Sequence, residues 1–242
     1  MVRRDGAEEE PSTKSERTRQ AILAAALRLF QEGGYEAATM RAIAAEAGVS
    51  LGSAYYYFES KEHLIQGFYA RTHEEHLLVC GPILTREHKL AARLRGVLLA
   101  KIETAEPYHS FSGVLFRTAA DPKSPLNPFS AASAPVRSKA TDLMRLVLEG
   151  SDARPPADLK AKLPELLWLY EMAVILFWIH DESEGRARTH KLINRTVDIL
   201  TKLIAVGGFA LFKPLRKSVL ALIDELRDSP PARSATSRTP RR

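Results

Sequence analysis

From Met40 to Phe58 the chain reads MRAIAAEAGVSLGSAYYYF, and little besides two short helices joined by a tight turn accommodates that text. Each half is preceded by a hydroxyl residue, Thr39 and then Ser50, the type whose side-chain oxygen satisfies free N–H groups in a first helical turn. Gly48 lies between the halves, where a sharp turn favours positive φ, and Ala44 is small where a second helix must come close. Ala54 and Phe58 stand four apart and share an inward face. Tyr55 and Tyr56, rotated by about 100° and 200° from Ala54, therefore point outward, with Tyr57 at the core edge. The expected unit is a helix-turn-helix.

The flanking sequence continues in helices. Ile22, Ala26, Leu29 and Phe30 recur at i, i+4, i+7 and i+8, the stripe of a helix with one buried face over Ser15 to Gly33. Thr13 with Glu16 has the form of a capping box, and Gly33 with Gly34 supplies a stop. Second and third helices fit Met40 to Ala47 and Leu51 to Phe58, and a fourth, capped by Ser60, runs from Lys61 to about Cys80. Others are expected at about 86 to 105, 108 to 120, 135 to 149, 160 to 182, 186 to 206 and 213 to 227. Pro122, Pro125, Pro128 and Pro135 make the stretch around them a loop. With no strand signal, the fold class is all-α. The chain divides into a flexible arm (1–13), a helix-turn-helix domain (14–74), a larger helical regulatory and dimerisation domain (75–227) and a disordered basic tail (228–242).

Composition narrows the function classes. In 242 residues, 45% are hydrophobic and 26% charged, ordinary globular proportions. The formal charge of +6 suggests a polyanionic partner, but residues 1–61 hold 8 Lys+Arg against 9 Asp+Glu, a net of −1, and much of the excess lies in the Arg-rich tail. Bulk charge therefore argues little, and any case for DNA must come from placed residues. MVRRDGAEEEPSTKSER contains no apolar run, so no secretory signal is expected. Cys80 is the only cysteine, which excludes an internal disulfide and suits a cytoplasmic location. Met172 to Ile179 is too short an apolar run to span a bilayer, which takes about 20 residues.

The stretch TRQAILAAALRLFQEGGYEAATMRAIAAEAGVSLGSAYYYFESKEHLIQGFY resembles the DNA-binding domain of the tetracycline repressor family. The likeness covers residues 14 to about 74 and is carried by the glycine after the first helix, Tyr35, Thr39, AGVS, Gly52, the aromatic run and Lys61. It implies a homodimer on a roughly palindromic double-stranded DNA operator, usually a repressor, released when a small-molecule effector fills a pocket in the C-terminal domain. Thr39 and Lys61 match phosphate-holding positions, where helix N-termini and an ammonium suit an anion. Arg41 matches a position that reaches a base edge. Ser50, Leu51, Gly52 and Ser53 form the leading turn of the reading helix, the part that enters the major groove. Tyr55 and Tyr56 are placed to lie along the sugar and hydrogen-bond phosphate, whereas Tyr57, and in an alternative reading Tyr56, packs between helices. Leu51 stands where a lysine or other polar residue is commoner, and Ala54 where a larger apolar residue is.

Beyond residue 75 the resemblance implies architecture but no particular ligand. LPELLWLYEMAVILFWI, Leu163 to Ile179, is apolar on nearly every face, and its neighbour carries Ile193, Val197, Leu200 and Ile204 on one stripe. These helices, about 160–182 and 186–206, are expected to pair with the same two of a second copy; the alternative is that both close the monomer core. Tyr108, His109, Phe111, Phe116, Trp168, Phe177 and Trp178, with His180, are the candidate effector-binding residues. If they are core instead, the protein is a constitutive DNA-binding dimer. GVSLG also satisfies G-x-S-x-G, but a hydrolase needs a buried strand before the serine, and RAIAAEA is helical text; no enzyme activity is expected. HEEH, His73 to His76, offers two imidazoles at i, i+3, too few for a metal, and reads as a solvated or pocket-edge pair. No cofactor, metal or membrane partner is expected.

Overall fold

The computed structural model describes residues 13–207 and 213–228; the arm and the basic tail, apart from Thr13 and Asp228, lie outside the described residues. Among the described residues ten α-helices follow in order: α1 (Lys14–Gly33), α2 (Met40–Glu46), α3 (Leu51–Tyr57), α4 (Lys61–Arg86), α5 (Leu90–Ala105), α6 (His109–Ala120), α7 (Ala134–Glu149), α8 (Ala157–Ile179), α9 (Ala187–Val206) and α10 (Lys213–Asp228), with single 3₁₀ turns before α6 and α9. No strand occurs among the described residues.

The first four helices start where hydroxyl side chains dictate. Thr13, Thr39, Ser50 and Ser60 each accept a bond from the backbone N–H three residues on, at 3.2, 3.2, 3.0 and 3.2 Å. Ser50→Ala therefore costs about 1 kcal/mol of stability, a shift that a urea midpoint resolves. The turn after α2 closes with Gly48 at φ 67°, its N–H on Ala45 O and the Val49 N–H on Ala44 O, the paired bonds of a Schellman ending that only glycine enters without strain.

Ile22, Leu23, Ala26 and Phe30 of α1, Ile43 and Ala44 of α2, Ala54 and Phe58, and Leu64, Ile65 and Phe68 of α4 form one core. Phe58 lies fully buried across Gly67, where a Cβ would stand 3.0 Å from its ring, so the reading helix is locked directly to α4. Phe111, Leu115 and Ala119 of α6, with Leu126 of the following loop, join the same core. A second core gathers Leu94, Val97 and Leu98 of α5, Met144 and Val147 of α7, Leu167, Trp168 and Trp178 of α8, and Ile193 and Val197 of α9 around Cys80 of α4.

Four helix ends lie three or more residues from the sequence expectation: the end of α4, the start of α5 at Leu90 rather than about 86, and both ends of α8. α4 continues past Cys80 through Gly81 and Pro82, because Ile83 and Leu84 still pack on the second core and buried Arg93 of α5 donates to Leu84 O (2.5 Å), Glu87 O (2.8 Å) and Leu146 O (2.6 Å). Those bonds satisfy carbonyls at the C-terminal ends of α4 and α7, which have no partner within their own helices. α8 lies about three residues earlier than expected and stops before His180. Asp181 is taken up instead by the start of α9: Oδ1 accepts from Ser183 N and Oγ, and Oδ2 from Thr189 N and Oγ1 at 2.8 and 2.6 Å.

Candidate nucleic-acid interface

α3 is presented outward from a packed base. Leu51 and Gly52 at its start are exposed, Ser53 is half-buried, and Tyr55 and Tyr56 are 48% and 82% exposed. Tyr57 turns the other way: it is half-buried, packs on the first core, and its hydroxyl donates to Ser15 Oγ at 3.2 Å, tying α3 to α1. Tyr56 stands edge-on to it with ring centroids 5.1 Å apart. One tyrosine is thus anchored and two are free to meet a partner. Thr39 is exposed; its oxygen accepts from Ala42 N, which leaves its hydroxyl hydrogen available. Arg41 is exposed on the same helix.

Lys61 is held more firmly than the sequence suggested. Its Nζ donates to Tyr35 O at 2.9 Å and sits 4.3 Å from the centre of the Tyr35 ring, a cation–π contact. The Tyr35 hydroxyl in turn donates to Glu62 Oε1 at 2.9 Å. Burial and the neighbouring carboxylate push the Tyr35 phenol well above its usual range, while bonds from backbone, Ser60 and Tyr35 outweigh burial and hold Glu62 below the usual carboxylate range. An ammonium with one of three protons engaged keeps two for a phosphate. Nearby, Arg19 lies 5.2 Å from the Phe58 ring centre, bracing the base of α3. Sequence reasoning had singled out Tyr35 but not the clamp, because the pairing across 26 residues follows from how α1 and α4 cross.

Ser50 is preceded by helix α2, not a strand, and its Oγ is engaged as the cap of α3. The strained strand-to-helix elbow that G-x-S-x-G chemistry requires is therefore not the local geometry.

In the C-terminal half the seven candidate effector residues do not line one cavity. Tyr108 stands edge-on to Phe68 in the first core and Phe111 packs tilted against it, at 4.7 and 5.8 Å between ring centres. His109 stands edge-on to Trp178 at 4.8 Å and bonds its carbonyl at 3.0 Å. Trp178 belongs to the second core and donates to Glu106 Oε2 at 2.8 Å, and Glu106 Oε1 accepts from Arg186 Nε at 2.9 Å. Trp168 is buried elsewhere in that core, edge-on to Phe129 at 5.6 Å, and Phe116 and Phe177 face outward. Aromatic content marked them, yet aromatics at helical spacing fill cores first. Two open clefts lie apart from all seven: one of about 550 Å³ between the helix-turn-helix unit and α6, lined by Glu36, Glu62, Arg117, Asp121 and Lys123, and one of about 430 Å³ beside Lys89, Asp152, Thr201 and Ile204.

The histidine pair departs most from expectation. His73 and His76 are 2% and 0% exposed, not solvated, because the face of α4 they share turns into the second core. No group of three ligating side chains suited to a metal occurs among the described residues. Burial and Glu171 push the Cys80 thiol up to about 12, so it is a packed, unreactive thiol.

Comparison with known proteins fits this geometry. The model for bacterial regulatory proteins of the tetR family matches residues 22–67, and that for the tetracyclin repressor-like C-terminal domain matches residues 93–222. The chain belongs to the tetracycline repressor family. It is similar to the HTH-type transcriptional repressor KstR of Rhodococcus jostii, 44% identical over 69 residues, 28% of this chain and 32% of that protein. It is also similar to the HTH-type transcriptional regulator UidR of Escherichia coli, 40% identical over 65 residues, 27% and 33% of the two chains. The chain thus spans about a third of the length of these curated relatives. Among solved structures, a tetR-family transcriptional regulator from Streptomyces coelicolor superposes with a TM-score of 0.59 at 23% identity, covering 87% of this chain and 96% of the other. The TetR transcriptional regulator from Nitrosomonas europaea gives 0.58 at 19%, covering 75% and 96%. These likenesses establish the fold. No helix among the described residues is long and apolar enough to cross a membrane.

Proposed function

We propose that this protein is a sequence-specific DNA-binding transcription regulator that acts as a homodimer on a two-fold symmetric operator and releases it when a small effector binds. The observation that carries the reading is α3: a helix fixed from beneath by Phe58 and Tyr57, with Leu51, Gly52, Tyr55 and Tyr56 exposed on its other side. Thr39 and Lys61 flank it as phosphate contacts, Arg41 and Ser53 reach toward base edges, and Leu51 suits a thymine methyl better than a guanine. The repressor named among its relatives favours repression over activation. The described chain carries no membrane-crossing helix, in keeping with a cytoplasmic regulator.

A second copy is needed because one reading helix covers one half-site, and two must stand about 34–36 Å apart to enter successive major grooves. The seam we assign to α8 and α9. Leu169, Ala173, Leu176 and Phe177 form an exposed apolar strip at i, i+4, i+7 and i+8 on α8, and Ile199, Leu203 and Val206 continue it at i, i+4 and i+7 on α9. Tyr170 and Thr196 hydrogen-bond between these helices, so the strips lie on one rigid pair. Two such pairs make a four-helix seam.

Release would act through α4, whose 26 residues reach about 39 Å at 1.5 Å each, from Lys61 beside the DNA to the interior of the C-terminal domain. A ligand lowers operator affinity only in so far as it prefers the wrongly spaced state. The constitutive alternative draws support from the packed aromatics, and the polar interior described below counts against it.

The deciding experiment is footprinting of the full chain on DNA upstream of its own gene, followed by anisotropy titrations. Tyr56→Phe should weaken every bound sequence by a similar factor, about fivefold for one hydroxyl bond to phosphate. Equal weak affinity for all duplexes offered would sink the reading.

A further inference from the structure

His73, His76 and Cys80 lie at i, i+3 and i+7 on α4, all buried. The two imidazole rings are 6.4 Å apart. His76 Nε2 lies 2.9 Å from the Val97 carbonyl of α5; a carbonyl only accepts, so Nε2 carries the hydrogen and Nδ1 presents a bare lone pair. That Nδ1, and Nε2 of His73, have no hydrogen-bond partner among the described residues, although a buried polar atom left unpaired costs about 1–3 kcal/mol. Glu171 of α8 is buried close enough to act on the Cys80 thiol, and the Lys101 ammonium of α5 acts on both imidazoles, the thiol and the Glu171 carboxyl. Around them the core is apolar, with Val97 and Ile102 of α5, Met144 of α7, and Leu167 and Val174 of α8. Apolar walls with a few convergent polar groups are the make-up of a small-molecule site.

We propose that this face of α4 is the polar end of the effector site and takes an uncharged molecule bearing a hydroxyl or amide donor on an apolar body. The proposal rests on the effector-responsive reading above. A donor is required because the fixed tautomer of His76 leaves it only a lone pair to offer. A carboxylate has no donor and would be buried beside Glu171. An ammonium would be buried beside Lys101. A neutral hydroxyl donates to the imidazole without moving a net charge out of water. The site sits twelve residues along α4 from Lys61, about 18 Å, so whatever fills it bears directly on the helix that holds the DNA clamp.

The test uses the full-length chain with ¹⁵N-labelled histidine. Its seven histidines are resolved by nitrogen NMR, and the His76 signals are assigned by their loss in His76→Phe, which keeps ring volume and removes both nitrogens. Cyclohexanol and cyclohexanecarboxamide at millimolar concentration are expected to move the Nδ1 resonance toward its hydrogen-bonded position and to raise Tm. Methoxycyclohexane, of similar shape with no donor, and cyclohexanecarboxylate should do neither, and His76→Phe should lose the Tm response. The contrast between the alcohol and the ether in the unmodified chain decides the matter even where that variant does not fold. An Nδ1 signal already at the hydrogen-bonded position and unmoved by every probe would mean that an ordered water fills the site. That result, an equal response to the ether, or a stronger response to cyclohexylammonium would overturn the proposal. Operator DNA titrated without probe tests the DNA-binding reading by itself, so failure of one is told from failure of the other.

Discussion

Glutamate at both Ile199 and Leu203 is expected to split the proposed dimer and to lower operator affinity by about 10²- to 10⁴-fold, the range that linking two binding units contributes. Both residues are large and apolar yet 57% and 62% exposed on α9, and both point away from the stripe of Ile193, Val197 and Ile204 that the monomer core absorbs. Glutamate is a good helix former, so α9 keeps its structure, while four added carboxylates facing one another across a two-fold seam oppose association. Sedimentation of the double variant should give a monomer with unchanged helical circular dichroism, and footprinting should show the operator lost at concentrations that protect it with the unmodified chain. A variant that remains dimeric would move the seam off α9.

Acid should unfold this protein sooner than its composition suggests. Burial, reinforced by the charge of Lys101 and, for His73, of Lys139, lowers the imidazoles of His73 and His76 to about 4 and about 3, against about 6.5 in an unfolded chain. Between those values the unfolded chain binds protons that the native one refuses, so stability falls as pH drops from about 6.5 and is fully present above it. Each histidine contributes a slope of up to about 1.4 kcal/mol per pH unit. Glu171 works in the opposite sense, since burial raises its carboxyl despite Lys101 and the native state takes that proton first. Urea midpoints measured from pH 7 to 4.5 should therefore fall steeply, and His76→Phe should flatten the curve by roughly half the histidine slope. A midpoint independent of pH across that window would mean that the imidazoles are solvated.

Local chemistry was legible residue by residue. Thr13, Thr39, Ser50 and Ser60 cap the helices they precede because a cap involves only a side chain and an N–H three residues away. Phe58 is buried and Tyr56 exposed because helical periodicity alone assigns them opposite faces. α4 outruns its expected end at Cys80, and its last carbonyls are met by Arg93 from another helix, a contact that no local signal in the chain announces. The candidate effector residues show the same limit. Tyr108 and Trp178 are both aromatic and both near a helix end, yet they belong to different cores, and nothing in their spacing distinguishes a wall from a filling.

The sequence by itself determined the helices, the starts of the first four, the helix-turn-helix and its outward tyrosines, since each depends on contacts within a few residues along the chain. Only the tertiary structure decided that Lys61 is clamped to Tyr35, that α6 shares the core of the DNA-binding unit, and that His73 and His76 are buried with nitrogens unpaired. Those outcomes depend on where helices distant in sequence cross, and a crossing is set by the fit of many side chains at once, which no single stretch of residues encodes.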